Sequence, residues 1–162
     1  MKMIIDGKKV DSVSKETFDV IAPATGIVVD NVPKATAEDI EKAVTAAVKG
    51  QKEWEKFSVT ERADVLYKFI DIVELNKESL AQTLCAENGK PITEARAEIG
   101  NIKIAFRAFA EHAKHYYGSI IPPGTEAGQE NHIQMVTREP IGVVACIIPF
   151  NFPCDLYDQK VA

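Results

Sequence analysis

Toward its C-terminal end the chain carries an unbroken apolar run, Val143-Val144-Ala145-Cys146-Ile147-Ile148, closed off by Pro149-Phe150-Asn151-Phe152-Pro153. No other stretch restricts the fold as much. An apolar run rich in β-branched residues, with no polar alternation, suits a strand buried on both faces, the pattern of parallel sheets. Pro149 ends such a strand, because it has no N–H to donate and fixes its own φ. A strand that stops at a stiff loop and leads into a helix is where open α/β sheets place ligands. Asn151 stands at that end between two aromatics, offering one carbonyl acceptor and two N–H donors. Pattern alone leaves two readings of it, a turn-forming Asn between prolines and a site residue.

Composition narrows the function classes. The 162 residues carry 19 basic and 24 acidic side chains, a net charge of −5, and no basic block. That balance argues against non-specific nucleic-acid or anionic-membrane binding. No apolar run approaches the ~20 residues that span a bilayer. The start, Met1-Lys2-Met3-Ile4-Ile5-Asp6-Gly7, turns polar too soon for a secretory signal. Three cysteines without Cys-x-x-Cys spacing favour neither a disulfide framework nor a zinc site, and no metal is expected. A soluble cytoplasmic protein is the expectation.

Before the apolar run the chain reads as short strands followed by helices. Asp6-Gly7 sits between the apolar pieces of a hairpin. Phe18–Ile21 and Ile27–Val32 are read as two further strands around the turn Pro23-Ala24-Thr25-Gly26. Thr36 with Asp39 and Ser58 with Glu61 are capping boxes that open helices. The first helix carries Ile40, Val44, Ala47, Val48 and Trp54 on one stripe, with Trp54 expected in the core. The second carries Val65, Leu66, Phe69, Ile70 and Val73. Asn76 is expected to interrupt it and start a third, Lys77 to Glu87, with Leu80 and Leu84 inward. Asn88-Gly89 ends that helix, and Pro91 opens the next as a first-turn proline. From there Ile92, Ala95, Ile99, Ile102, Phe106, Phe109 and Ala113 recur at alternating steps of three and four along one long helix. Such a seam packs within the chain or serves as a coiled-coil interface. His112 and His115 near its end are read as surface residues, and Gly118 as its stop. After the loop around Pro122-Pro123-Gly124, His132–Arg138 alternates as an exposed or edge strand does.

Two motifs carry a resemblance. Arg138-Glu139-Pro140-Ile141-Gly142-Val143-Val144 and Pro149-Phe150-Asn151-Phe152-Pro153, at this spacing, resemble the N-terminal part of the NAD(P)-dependent aldehyde dehydrogenase superfamily. Pro23-Ala24-Thr25-Gly26 resembles a further family turn, with Ala22 and Ile27 departing from the usual Asn and Glu. The resemblance implies an α/β fold of which this chain holds a part. Residues 1–118 would be strands and helices of the cofactor-binding domain, 119–141 an oligomerisation arm, and 142–162 the first strand, loop and helix start of a Rossmann-like core. It implies NAD or NADP as cofactor, an aldehyde as substrate, and a homo-oligomer (dimer or tetramer) formed through the 132–140 arm.

The family's chemistry is attack of a cysteine thiolate on the aldehyde, hydride transfer from the resulting thiohemiacetal to the nicotinamide, and hydrolysis of the thioester by water that a glutamate activates. By motif position Asn151 supplies the amide that faces the developing oxyanion. Ile147, Ile148, Pro149, Phe150 and Asn151 match cofactor-contacting positions, Phe152 the mouth of the substrate tunnel, and Leu156 its wall. Cys154, Asp155, Asp158 and Gln159 are more polar than is usual there, which argues against a simple aliphatic aldehyde, and the Pro149-Phe150-Asn151 form with a polar residue at 155 resembles the branch that handles phosphorylated or hydroxylated aldehydes. Cys154, three residues from Asn151, is not expected to be the nucleophile, because no base stands near it in sequence. The family's catalytic cysteine and general-base glutamate motifs are not found in residues 1–162, so this stretch is expected to be inactive alone. Three origins are consistent with that: the N-terminal portion of an enzyme, a short protein that binds a full-length relative, or an unrelated helical interaction module.

Overall fold

The computed structural model describes residues 1–162. The N-terminal hairpin forms as the sequence suggests. Strands β1 (Met3–Ile5) and β2 (Lys8–Val10) pair antiparallel, Ile5 opposite Lys8, around Asp6 and Gly7, whose φ values are 52° and 70°. Positive φ at both central residues is what a tight hairpin turn demands, and Asp-Gly accepts it at low cost. Strands β3 (Thr17–Ile21) and β4 (Val28–Pro33) form a second antiparallel pair, with an irregularity between Val20 and Ile21.

Helix α1 (Ala37–Trp54) begins with the full capping box. Thr36 Oγ1 accepts the Asp39 amide proton at 3.3 Å, and the Asp39 carboxylate accepts the Thr36 amide proton at 2.9 Å. Asp39 also accepts the Ser12 hydroxyl proton at 2.9 Å and the Val13 amide proton, so one buried carboxylate ties the loop after β2 to the helix start. The Thr36 amide is the main reason its pKa falls to about 2. The apolar stripe of α1 is not core. Ile40, Val44, Val48 and Trp54 are all exposed, Ile40 by 58%. Helical periodicity identifies a face that would gain from burial but not whether this chain supplies a partner. The neighbour of α1 is β1, and the Trp54 ring lies tilted against that of Phe57, with centroids 5.8 Å apart.

The core is built around α4 (Ile92–Lys114), against which α2 (Val59–Leu75), α3 (Lys77–Asn88) and α5 (Pro153–Val161) pack. Ile70, Val73, Ala81, Leu84, Ala95, Ile99, Ile102 and Phe106 form one buried cluster. Ala81 and Ala95 are wholly buried, and their small side chains let the backbones approach closely. The seam of α4 is therefore an intramolecular surface. Its buried line runs from Phe106 to Ala110, while Phe109 and Ala113 are exposed. A straight helix of 3.6 residues per turn drifts off a strict heptad, and the drift carries these two positions out of the contact. Leu80 is likewise exposed, whereas Leu84 is buried. Asn76 does separate α2 from α3, and Gly89, at φ 79°, closes α3. Pro91 lies one residue ahead of the first turn of α4 rather than within it. That helix ends at Lys114, not Gly118.

Strands β5 (Ser119–Ile121) and β6 (Gln134–Val136) make a small antiparallel pair, Ser119 opposite Val136. Gly118 is required there, since a Cβ would lie 2.0 Å from the Val136 carbonyl oxygen. The largest departure from expectation is at residues 142–148. They form no strand, and Ile147 is 84% exposed. A doubly buried strand needs flanking strands to bond with. The sheets present are three separate antiparallel pairs, none of which receives this segment.

Candidate active site

The loop between the exposed apolar run and α5 is fixed from outside. Pro153 occupies the first turn of α5, where its missing N–H costs nothing. The Leu156 amide donates to the Phe152 carbonyl at 3.0 Å, which winds the helix directly off the loop. Asn88, at the end of α3, donates its side-chain N–H to the Phe150 carbonyl at 2.7 Å. Lys90 Nζ donates to the Asn151 carbonyl at 3.1 Å and lies 4.0 Å from the centre of the Phe152 ring. Glu98, on α4, accepts the Cys154 amide proton at 2.8 Å through Oε1, while Oε2 pairs with Lys90. Both members of this ion pair are buried, their side chains only 7% and 2% exposed. These bonds to the loop use its backbone, which leaves the exposed Asn151 amide group outside them.

Reading the sequence for motifs missed these anchoring side chains. Asn88 and Lys90 sit in a stretch that reads as a helix stop. Glu98 carried a usable signal, since it falls between Ala95 and Ile99 on the buried face of α4, where an unpaired carboxylate would be costly.

Of the site residues named from sequence, Phe150 (83% exposed), Asn151 and Phe152 form one open surface with Pro149 and Ile147. Ile148 and Leu156 are half-buried. No single cavity gathers them. A cavity of about 530 Å³ lies elsewhere, between Trp54, Leu66, Phe109, Tyr116 and Val161.

The inner side of the loop is acidic. Burial pushes the Cys154 thiol up to about 11, and the carboxylates of Glu98, Glu87 and Asp155 add to the shift. A helix N-terminus would lower a thiol's pKa, but here burial and negative charge prevail. Both effects disfavour the thiolate at Cys154. Asp158 is buried on α5 with Oδ1 unpartnered, and burial, followed by repulsion from Asp155, raises it to about 6. Asp155 is raised for the same first reason, burial, and its Oδ1 also lacks a partner.

No helix is long and apolar enough to cross a membrane. Chemically, the loop offers one neutral, outward amide on a backbone fixed on both sides.

Comparison with known proteins gives this arrangement a context. The family model described as "Aldehyde dehydrogenase family" matches residues 9–162. The chain is 42% identical to a 3-sulfolactaldehyde dehydrogenase of Pseudomonas putida over 98% of its own length and 32% of the relative's. It is 36% identical to a succinate semialdehyde dehydrogenase of Acinetobacter baylyi, with 99% and 32% covered. Among solved structures it is similar to an NADP-dependent glyceraldehyde-3-phosphate dehydrogenase of Bacillus halodurans complexed with NADP, at TM-score 0.91 and 31% identity, with 99% and 34% covered. An NAD-dependent aldehyde dehydrogenase of Sinorhizobium meliloti is similar at TM-score 0.87 and 36% identity, with 98% and 31% covered. The chain spans about a third of the length of the relatives it matches. The match runs through the hairpins, the helices around α4 and the Asn151 loop alike, and the chain belongs to the aldehyde dehydrogenase family.

Proposed function

We propose that residues 1–162 are the N-terminal third of an NAD(P)-dependent aldehyde dehydrogenase that oxidises an aldehyde to a carboxylic acid, with Asn151 as a donor in its oxyanion hole. The observation that carries this reading is the Pro149–Pro153 loop, which is fixed through its backbone while the Asn151 amide stays exposed. When a thiolate adds to an aldehyde carbonyl, the oxygen gains a full negative charge. A neutral donor already in place stabilises that charge without reorganising as it forms. The nucleophile and the water-activating glutamate come from residues beyond 162 in this reading.

NAD or NADP fits the exposed run before the loop. Ile147, Pro149 and Phe150 present apolar surface to a flat ring, and the backbone of residues 142–149 makes no backbone–backbone hydrogen bonds of its own. Ile147, Ile148, Pro149, Phe150 and Asn151 would hold the cofactor, which accepts the hydride when bound. In the whole protein residues 142–148 would become the first strand of a Rossmann-like sheet once neighbouring strands exist. Phe152 and Leu156 would line the substrate entry. The β5–β6 pair leaves Ile120, Ile133 and Met135 exposed, which supports the 132–140 arm as a homo-oligomer contact. Free cysteines fit a cytoplasmic location.

The test is the complete reading frame that contains these residues, assayed as purified protein of verified intact mass. Asn151→Ala is expected to lower kcat on the order of 10²–10³-fold, a far larger effect than its weakening of cofactor binding. A wild-type kcat, with chemistry rate-limiting, removes the assignment. An intact mass equal to these 162 residues alone removes the enzyme reading and favours a short interaction protein.

A further inference from the structure

We propose that the buried Lys90–Glu98 ion pair is a positioning device for the oxyanion loop, setting the Asn151 backbone from the interior. This rests on the assignment of Asn151 as oxyanion donor. The pair is buried between α4 and the loop, with Glu98 between Ala95 and Ile102 on the buried face of α4. Stability alone does not explain it, because well-packed apolar side chains are often as stabilising as a buried ion pair, or more so.

What an apolar pair lacks is direction. Lys90 donates to the Asn151 carbonyl and stands over the Phe152 ring, and Glu98 takes the Cys154 amide proton. Asn88 holds the Phe150 carbonyl on the other side. The peptide after Asn151 is therefore bonded to Lys90 and the one before it to Asn88, while Glu98, locked to Lys90, holds the peptide before Cys154 at the start of α5. Lys90 is in turn placed by the left-handed Gly89, where a Cβ would come within 3.3 Å of Pro23, and by Pro91. Rate depends steeply on such placement, since an oxyanion donor works only where the charge appears.

The experiment uses the complete enzyme with Glu98→Gln, the paired variant Lys90→Met with Glu98→Leu, Asn151→Ala, and Asn151→Ala combined with Glu98→Gln. A displacement of about 1 Å can cost 10²-fold. Glu98→Gln and the paired variant should accordingly lose on the order of 10–10²-fold in kcat, with the cofactor Kd held within about twofold. The paired variant should keep its melting temperature while amide exchange of residues 150–154 accelerates. A residue acting through Asn151 adds little once Asn151 is gone, so Asn151→Ala with Glu98→Gln should fall no further than Asn151→Ala.

Multiplicative losses in that combined variant overturn the proposal, as does a wild-type kcat in the paired variant when loop exchange is accelerated. If Asn151→Ala itself is fully active, the oxyanion reading fails and the positioning role falls with it. If Asn151→Ala is impaired and Glu98→Gln is not, the positioning role alone fails. Should the paired variant not fold, the Glu98→Gln cycle decides.

Discussion

Two phenylalanines three residues apart on α4 separate what the helical pattern implies from what packing does. Phe106 and Phe109 occupy equivalent places in the seam read from sequence. In the fold Phe106 is 1% exposed, with its ring 4.8 Å from that of Phe69 on α2 and 6.3 Å from that of Tyr157 on α5. Phe109 is 40% exposed at the rim of a cavity. A buried Phe removes on the order of 200 Å² from water, an upper bound of about 5 kcal/mol at ~25 cal/mol per Å². Measured Phe→Ala changes in cores run about 3–5 kcal/mol. Phe106→Ala is therefore expected to cost about 3–4 kcal/mol, a large share of the ~5–15 kcal/mol of a whole domain. Phe109→Ala, which leaves no enclosed cavity, should cost about 1 kcal/mol. Urea unfolding of residues 1–162, followed by circular dichroism, reads both through the shift in midpoint at constant slope. Equal costs for the two variants, or a Phe106→Ala cost under about 1.5 kcal/mol, would refute the placement of α5 and α2 on α4.

Two further outcomes are expected. Asp158 has its folded pKa raised from 3.8 to about 6, so the folded state holds a proton that the unfolded chain has already released. Stability should fall as pH rises from about 4 to 6, and Asp158→Asn should raise the melting temperature at pH 7 while making little difference near pH 3.5. A variant with no gain at pH 7 contradicts the burial of that carboxylate. Limited alkylation with iodoacetamide near pH 7.5, followed by peptide mapping, should label exposed Cys146 well before Cys154, whose thiol is raised to about 11 and half-buried. Faster labelling of Cys154 would reopen its candidacy as a nucleophile.

Local signals carried the parts of this protein whose physics is local. The Asp6-Gly7 turn, the Thr36 and Ser58 capping boxes and the Asn88-Gly89 stop all act within a few residues, so their outcomes are written in those residues. The seam of α4 was legible for the same reason, up to the turn where a 3.6-residue helix leaves a heptad. The family was legible from the two motifs around residues 138 and 149, because a loop held between two prolines has few substitutes.

Long-range pairing decided the rest. The stripe of α1 from Ile40 to Trp54 and the run from Val143 to Ile148 are apolar in sequence, yet both are open here because no second element of this chain covers them. The support of the Asn151 loop was hidden for a related reason. Asn88, Lys90 and Glu98 stand more than fifty residues before the groups they bond. Only the docking of α5 against α4 brings a carboxylate on a buried helix face and a lysine after a glycine turn onto one loop. The sequence by itself determined that Asn151 lies in a stiff loop at a helix start; the tertiary structure decided what holds that loop still.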